Sequence, residues 1–442
     1  MQSEEQKTDA IVIGGGLAGL AAAIFLAREG KKVRLLEQSS SLGGRARTRN
    51  QNGFFLNQGP HALYRGGHGT EVLRELGVEP RGSVPPLAGA YAVAGNRKHT
   101  FPSGVVSMLT TSLFSLPAKI EAAKLLASIG KIDHAPWMDK SASEWVSSQI
   151  SHEEVREFLF AVLRVSTYIN DPDRLSAGAA IDQIKKAFGK GVLYLDGGWQ
   201  SLVDDLVRIA EREGVMIETG AKVETVSRDR TGAISGVRLA TGRAIPAQVV
   251  VLTSPPAVAA RMVEAGQATS LAKWAADATP VRAACLDLAL SRLPVPRATF
   301  ALGIDRPLYL SVHSAAARLA PQGGAMIQLA KYVAPDDDQS NESVERELEA
   351  LMDLVQPGWR EALVYRRFLP DLVVMNDMPK AASGGTVGRP GPDVEDVPGL
   401  FVAGDWVGAE GLLVDASLAS SRKAARLAAR YEGAAVLATS GI

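Results

Sequence analysis

Apolar and polar positions fall into a clear pattern at the start of the chain. Residues 9–13 (DAIVI) form a short apolar run that ends against glycine, the signature of a strand buried on both faces. Residues 17–29 (LAGLAAAIFLARE) are rich in Ala and Leu and predict a helix that Gly30 stops. Residues 32–37 (KVRLLE) alternate into a second strand, completing a β-α-β unit. Further on, 116–190 carries apolar residues at three-to-four spacing and predicts helices, with Ser141 or Ser143 as the N-cap of the stretch 141–165. A helix is expected at 200–213. Several short strands with Gly and Asp turns are expected over 215–255, and strands mixed with Pro/Gly-rich loops over 280–335. Residues 336–355 read as an acidic loop leading into a helix and 384–399 as an irregular connection. The strand 400–405 (LFVAGD) and an Ala-rich helix at 415–432 follow. No repeat recurs at a period of 20–50 residues.

Composition narrows the classes. The 442 residues are 46% hydrophobic and 22% charged, a globular balance with ample material for a core. At this length about two to four domains are expected, or one large α/β unit with insertions. Lys+Arg and Asp+Glu both total 48, so the net charge is zero, which weighs against nucleic acid as a partner. Met1 to Asp9 lacks the basic-then-apolar pattern of a signal peptide, and no run of about 18 apolar residues predicts a transmembrane helix. The single cysteine, Cys285, excludes an internal disulfide and fits a reducing compartment. The six histidines form no HExxH or paired set, so no metal site is expected.

The chemistry-bearing motif is Gly14-Gly15-Gly16-Leu17-Ala18-Gly19, a G-x-G-x-x-G placed between a predicted strand and a predicted helix. Glu37 follows at the end of the second strand. This is the context of dinucleotide binding. Gly14 permits the tight turn, Gly16 lets backbone approach a pyrophosphate, and Gly19 lets helix and strand pack closely. The helix start offers free N–H groups and partial positive charge to phosphates. Glu37 can accept hydrogen bonds from a ribose diol.

After Glu37 comes Gln38, then Gly43-Gly44-Arg45. Together they resemble the E-x-x-x-x-x-G-G-R extension of the flavin-dependent amine oxidase, protoporphyrinogen oxidase and phytoene desaturase superfamily. Gly59-Pro60-His61 is similar to the turn that lies against the flavin ring in those families. Residues 191–202 resemble their P-x-G-G-x-x-x-L segment, with Asp196 where Pro is usual. Residues 220–223 resemble the strand whose valine, here Val223, meets the adenine. Residues 400–405 resemble their second flavin strand, ending in Gly404-Asp405. The stretch 411–417 then opens a helix toward the flavin, with Leu413, Val414 and Ser417 near its pyrimidine edge. The segments 311–314 and 319–324 are similar to carotenoid-desaturase-like oxidoreductases, and 101–132 to a helical lid.

The resemblance implies an α/β fold: a discontinuous Rossmann-like FAD-binding domain with an inserted α+β substrate domain and a helical lid. The expected boundaries are 1–80, 190–262 and 395–442 for the FAD-binding domain, 81–103 and 263–394 for the substrate-binding sheet domain, and 104–189 for the helical subdomain. It implies non-covalent FAD, because the cysteine carried by covalent amine oxidases near the C-terminal motif is missing from 384–405. Catalytic candidates are Arg282, which aligns near the position where amine oxidases use a lysine, then His61 and Lys331. The aliphatic Gly411–Leu413 turn favours an apolar substrate over an ammonium ion.

Three readings stay open. The first is removal of hydride from an isoprenoid, retinoid-like or porphyrinogen-type substrate. The second is an amine or amino-acid oxidase that releases hydrogen peroxide, and the third a non-catalytic flavin-binding scaffold. The expected state is a monomer or homodimer in the cytoplasm. Peripheral membrane contact through 104–132 is set against packing of that segment on the protein's own core.

Overall fold

The computed structural model describes residues 8–432. The reading of the first seven residues, and the outer ends of the segments 1–80 and 395–442, lie outside the described residues.

A five-stranded parallel sheet organises the nucleotide side, in the order Met216–Glu218, Val33–Leu36, Ala10–Ile13, Val249–Leu252, Leu400–Val402. Its three central strands are almost wholly apolar and buried, as expected for a sheet covered on both faces. One face packs against the helices Leu17–Arg28, Gln200–Arg212 and Leu413–Ala429. The other packs against a three-stranded antiparallel sheet (Val223–Arg228, Ile234–Leu239, Ala244–Pro246) and the helices Pro256–Met262 and Ser270–Asp277. The first helix ends where expected, with Gly30 in the left-handed region at φ +80°. From Ala10–Ile13 the chain continues into Val33–Leu36 on one side and returns as Val249–Leu252 on the other. The crevice at the C-terminal end of this strand is where α/β sheets bind ligands.

A seven-stranded sheet forms the second layer, in the order Leu363–Met375, Val281–Leu290, Ala325–Val333, Leu308–Val312, Phe300–Gly303, Tyr91–Ala94, Arg97–Thr100. Its pairs are antiparallel except Phe300–Gly303 with Tyr91–Ala94. The helix Asn341–Val355 covers one face. The long strand Leu363–Met375 carries no clean sequence signal, since Pro370 and the Arg366–Arg367 pair break its alternation. It lies at the sheet edge, where a proline costs no interior ladder bond.

The stretch 141–165 is two helices rather than one. Ser141 caps Ala142–Gln149: its Oγ accepts the Glu144 N–H and Glu144 accepts the Ser141 N–H in return. The chain then breaks before Glu153–Thr167, and Glu121 accepts the freed N–H groups of Ser151 and His152. With Leu116–Ser128 and Ala177–Gly189 these helices build a separate apolar core around Trp145 and Phe158.

Candidate active site

The glycine turn shows three different uses of glycine. Gly14 adopts φ +109°, and a Cβ there would lie 2.4 Å from Thr253 Oγ1. At Gly19 a Cβ would sit 1.8 Å from the Gly14 carbonyl oxygen, so glycine is required for the helix to approach the strand. Gly16 differs. Its φ of −79° suits any residue, and a Cβ would meet nothing closer than Gly43 O at 4.0 Å. No contact within the protein asks for glycine at Gly16. The open backbone there leaves room for a ligand group, and no side chain caps the helix that begins at Leu17 and Ala18.

Glu37 lies beside this turn and is nearly fully buried. Its Oε2 accepts the Gly15 N–H and its Oε1 the Ser39 N–H, each at 2.7 Å. Each oxygen keeps a second lone pair for a ribose diol. Gln38 is exposed at the margin. The Glu37 carbonyl accepts the Ala221 N–H at 2.8 Å, which brings the start of Val223–Arg228 against the same corner. Gly43 donates to Gly15 O at 2.8 Å and adopts φ +113°, and Gly44 φ +52°. The second glycine pair therefore stacks on the first.

Arg45 reaches across to the last sheet strand. Its Nη1 donates to Asp405 Oδ2 at 2.6 Å and to Val374 O at 2.8 Å. Asp405 is 1% exposed, and its other oxygen accepts from the Asn376 side chain at 2.9 Å. Gly404 takes φ +154° and donates to Ser420 Oγ. Leu413, the first residue of its helix, takes φ +57°, a left-handed conformation costing a side-chain-bearing residue ~1–2 kcal/mol. Such strain gathers at ligand-facing turns. The Ser417 hydroxyl closes the turn on Leu413 O, and no side chain caps the start of the helix beside Val414.

Gly59-Pro60-His61 joins the two layers. Gly59 adopts φ +76°, and a Cβ there would crowd Leu372 and Cys285 Sγ. Gln328 Nε2 donates to Gly59 O and the Tyr168 hydroxyl to Pro60 O. His61 holds Gly59 O through Nδ1 at 2.9 Å and meets Trp199 edge-on. Burial lowers its pKa, keeping the imidazole neutral.

The catalytic candidates on the second sheet fall on the wrong face. Side chains alternate across a strand. Ala283 and Cys285 pack beside the Gly59 turn, whereas Ala284 and Leu286 face the helix-covered core. Arg282 shares that second parity and is paired with exposed Asp371. Lys331 shares it too, and its ammonium lies 3.2 Å from Asp337 and 3.1 Å from Glu347. Both are structural ion pairs and are set aside as catalytic residues.

Sequence reasoning missed what does line the Gly59 turn. Tyr168, Tyr309 and Tyr332 gather with Cys285 and Phe300 into one apolar, aromatic cluster, in which burial holds the phenols and the thiol protonated. Tyr194 stacks on His313 at 3.8 Å and hydrogen-bonds to Tyr309 and Ser311. Beneath Gly59, buried Asp287 pairs with Arg367, which also donates to Asn57 O. The available signal was Asp287 and Gln328, polar residues within largely apolar strands that also carry Arg282 and Lys331. Among the described residues no cluster of three or more His, Cys, Asp or Glu could hold a metal ion.

The fold and this site define a nucleotide-binding α/β protein whose glycine turn and final strand converge under an aromatic second layer. Comparison with known proteins narrows this: the model of the flavin containing amine oxidoreductase family matches residues 17–429, and the chain belongs to that family of flavin-dependent oxidoreductases. It is 26% identical over 301 residues to coproporphyrinogen III oxidase of Bacillus subtilis, matching 58% of this chain and 62% of that protein. It is also 26% identical over 295 residues to phytoene desaturase of Cercospora nicotianae, matching 58% of this chain and 46% of that protein. The chain thus spans about half to three-fifths of these relatives. An oxidoreductase structure from Methanosarcina mazei superposes with a TM-score of 0.74 at 22% identity, covering 93% of this chain and 98% of that one, which shows the fold. Among the described residues no helix is long and apolar enough to cross a membrane.

Proposed function

We propose that the chain binds FAD non-covalently and takes a hydride, or two electrons, from an apolar substrate of isoprenoid, retinoid-like or porphyrinogen type. The observation that carries the substrate class is the lining of the Gly59 turn. Its walls are apolar or aromatic, and the one ion pair beneath it, Asp287 with Arg367, is matched internally. A charged substrate would find no free counter-charge in that set. The names of the relatives above point to porphyrinogen and carotenoid chemistry and agree with this reading.

The residues divide the work. Gly16 and the start of the Leu17–Arg28 helix would hold the pyrophosphate, Glu37 the ribose, and the Val223 backbone the adenine. Arg45 would offset phosphate charge. Gly404, Asp405 and the turn Leu413–Val414, with Ser417 behind it, would hold the flavin end. FAD supplies the hydride acceptor. The aromatic layer excludes water and presses the substrate toward the Gly59 turn. Neutral His61 fixes that turn through Gly59 O.

Lipid contact belongs to the same reading. Val105, Val106, Leu109, Leu116 and Ile120 are 54–79% exposed, and Lys124 and Lys131 of the same segment are also exposed. An apolar face beside basic residues fits an anionic lipid surface, from which such substrates are drawn. Co-sedimentation with phosphatidylglycerol vesicles tests it: Val106→Glu with Leu109→Glu should abolish binding.

The aromatic cluster of Tyr168, Tyr309 and Tyr332 favours a second reading, amine oxidation, because tyrosine faces also receive ammonium ions. Anaerobic titration decides between them. Bleaching of the bound flavin by polyenes or porphyrinogens supports the first. Bleaching by amines alone, with peroxide release in air, replaces it with the second.

A further inference from the structure

Gln328, in the strand Ala325–Val333, is 1% exposed and makes unequal use of its amide. Its Nε2 donates twice, to Gly59 O at 2.9 Å and to Asp287 Oδ1 at 3.3 Å. Its Oε1 is buried and accepts nothing among the described residues. Turning the amide over would set Oε1 against two acceptors, so the two donated bonds fix its orientation. A buried amide oxygen without a donor costs stability. Packing alone does not account for it, because leucine would fill the place without that cost.

The bond to Gly59 belongs to a set. Three carbonyls of the turn 57–61 each receive a side-chain donor from the substrate side: Asn57 O from Arg367 Nη2, Gly59 O from Gln328, and Pro60 O from the Tyr168 hydroxyl at 2.8 Å. Behind Gln328, fully buried Asp287 also accepts from Arg367 Nε at 3.0 Å, so one carboxylate orients two of the three donors. On the other side, the Asn57 side chain ties the same turn to the nucleotide half. Its Oδ1 accepts from Thr48 Oγ1 at 2.7 Å and from the Trp199 N–H at 3.1 Å. The turn is thus pinned from both layers. A buried ion pair adds little stability over apolar residues of the same volume. What Asp287 and Arg367 supply is a fixed direction for the donors.

We propose that Gln328 is a positioning residue for flavin reduction, oriented by Asp287 and Arg367, and that it sets how the Gly59 turn meets the substrate wall. This rests on the flavin reading above. Gln328 shares a strand face with Ala330 and Tyr332 of the aromatic cluster, so its bond to Gly59 O links that wall directly to the turn. When Gln328 is lost, His61 Nδ1 still holds Gly59 O, so the carbonyl keeps a partner but loses its direction. The effect therefore falls on the reductive rate, where a misplacement of about 1 Å costs about a hundredfold. Cofactor affinity rests on Gly16, Glu37 and Arg45, outside this set.

The test uses the full chain loaded with FAD and two variants. Gln328→Leu removes both donated bonds together with the unmatched oxygen. It should bind FAD as wild type does, with a changed visible circular dichroism of the bound flavin. Its anaerobic reduction by whichever polyene, porphyrinogen or amine bleaches the wild type should slow by about tenfold or more. Gln328→Glu adds a readout that lost packing cannot imitate. Ionised, the introduced carboxyl donates nothing; protonated, it donates to Gly59 O again. Burial and Asp287 on the facing strand push its pKa up, and Arg367 opposes them. The other groups around the turn add no free charge: His61 is kept neutral and Cys285 and Tyr194 protonated by burial, and Arg45 is paired with Asp405. Dichroism and rate of Gln328→Glu should return toward wild type as pH falls from about 8 to about 6, a trend absent from wild type and from Gln328→Leu. Where no donor bleaches the wild type, the dichroism and its pH dependence decide. Variants that match wild type, a Gln328→Glu without that added pH dependence, or a Gln328→Leu that loses FAD affinity by about tenfold overturn the proposal. A wild type that takes up no FAD removes the flavin reading itself, whereas FAD uptake with silent variants removes the role of Gln328 alone.

Discussion

Arg45 Nη1 donates to Asp405 Oδ2 at 2.6 Å across 360 residues of sequence, locking the second glycine turn to the last strand of the parallel sheet. Asp405 is buried, so the pair is shielded on its acidic side, while Arg45 remains partly open toward the crevice. The arginine can therefore keep its internal partner and still lend charge to a phosphate. Asp405→Asn keeps the shape and removes the ion pair. It should weaken flavin affinity without unfolding the protein, because Asn376 still finds an acceptor. Fluorescence titration of the apoprotein with FAD checks this, and unchanged affinity would detach the pair from the cofactor.

Gly16 and Gly19 should separate cleanly. Gly16→Ala places a methyl where no protein atom lies within about 4 Å, so the apoprotein should melt as wild type while FAD binding collapses. Gly19→Ala drives a methyl into the Gly14 carbonyl and should destabilise the fold itself by ~1–3 kcal/mol or more. Urea unfolding of both apoproteins, beside FAD titration, measures the contrast. An unstable Gly16→Ala would mean that the glycine serves the fold and not a ligand.

What the sequence disclosed follows from the range of the forces involved. The Gly14–Gly19 turn, Glu37 and Gly43–Arg45 were legible because glycine spacing encodes a local backbone shape. The sequence offers Ser141 or Ser143 as the cap of the stretch 141–165, and Ser141 takes the role, since a cap acts within one turn. The aromatic cluster was not legible, since Tyr168, Tyr309 and Tyr332 meet only through sheet register and helix docking. Register also decided against Arg282 and Lys331: a shift of one residue turns a side chain to the opposite face, and position along the chain does not announce it. The break at Ile150–His152 depends on Glu121, about 30 residues away, catching the loose N–H groups.

Acid should destabilise the fold through His313. It is 1% exposed and stacked on Tyr194, and burial, reinforced by the charge of nearby His61, lowers its pKa to about 3. In the unfolded chain it titrates near 6.5. As pH falls below that value the unfolded state takes up a proton that the folded state refuses, so stability drops until the pH reaches about 3. The slope for one proton is ~1.4 kcal/mol per pH unit. His61, also lowered by burial, adds in the same direction. His313→Phe should keep the stacking and flatten the dependence between pH 6.5 and 3. Chemical unfolding at a series of pH values reads it, and an unchanged slope would mean that other groups carry the acid response.

Lys331 and Arg282 give the sharpest test of the face assignment. Lys331 is 2% exposed between Asp337 and Glu347, so Lys331→Met strands two carboxylates near each other. The two carboxylates are partly exposed and can be solvated, so the protein should lose ~1–3 kcal/mol of stability. The visible spectrum of its flavin and its reduction rate per folded molecule should stay the same, because the side chain faces the Asn341–Val355 helix and not the Gly59 turn. Arg282→Ala loses only an exposed pair with Asp371, worth ~0–1 kcal/mol, and should change neither stability nor rate appreciably. Stopped-flow reduction of both variants, normalised to folded protein, provides the check. A drop of more than about tenfold in the reductive rate of either, with its pH profile displaced, would return that residue to the catalytic face and overturn the parity argument for its strand.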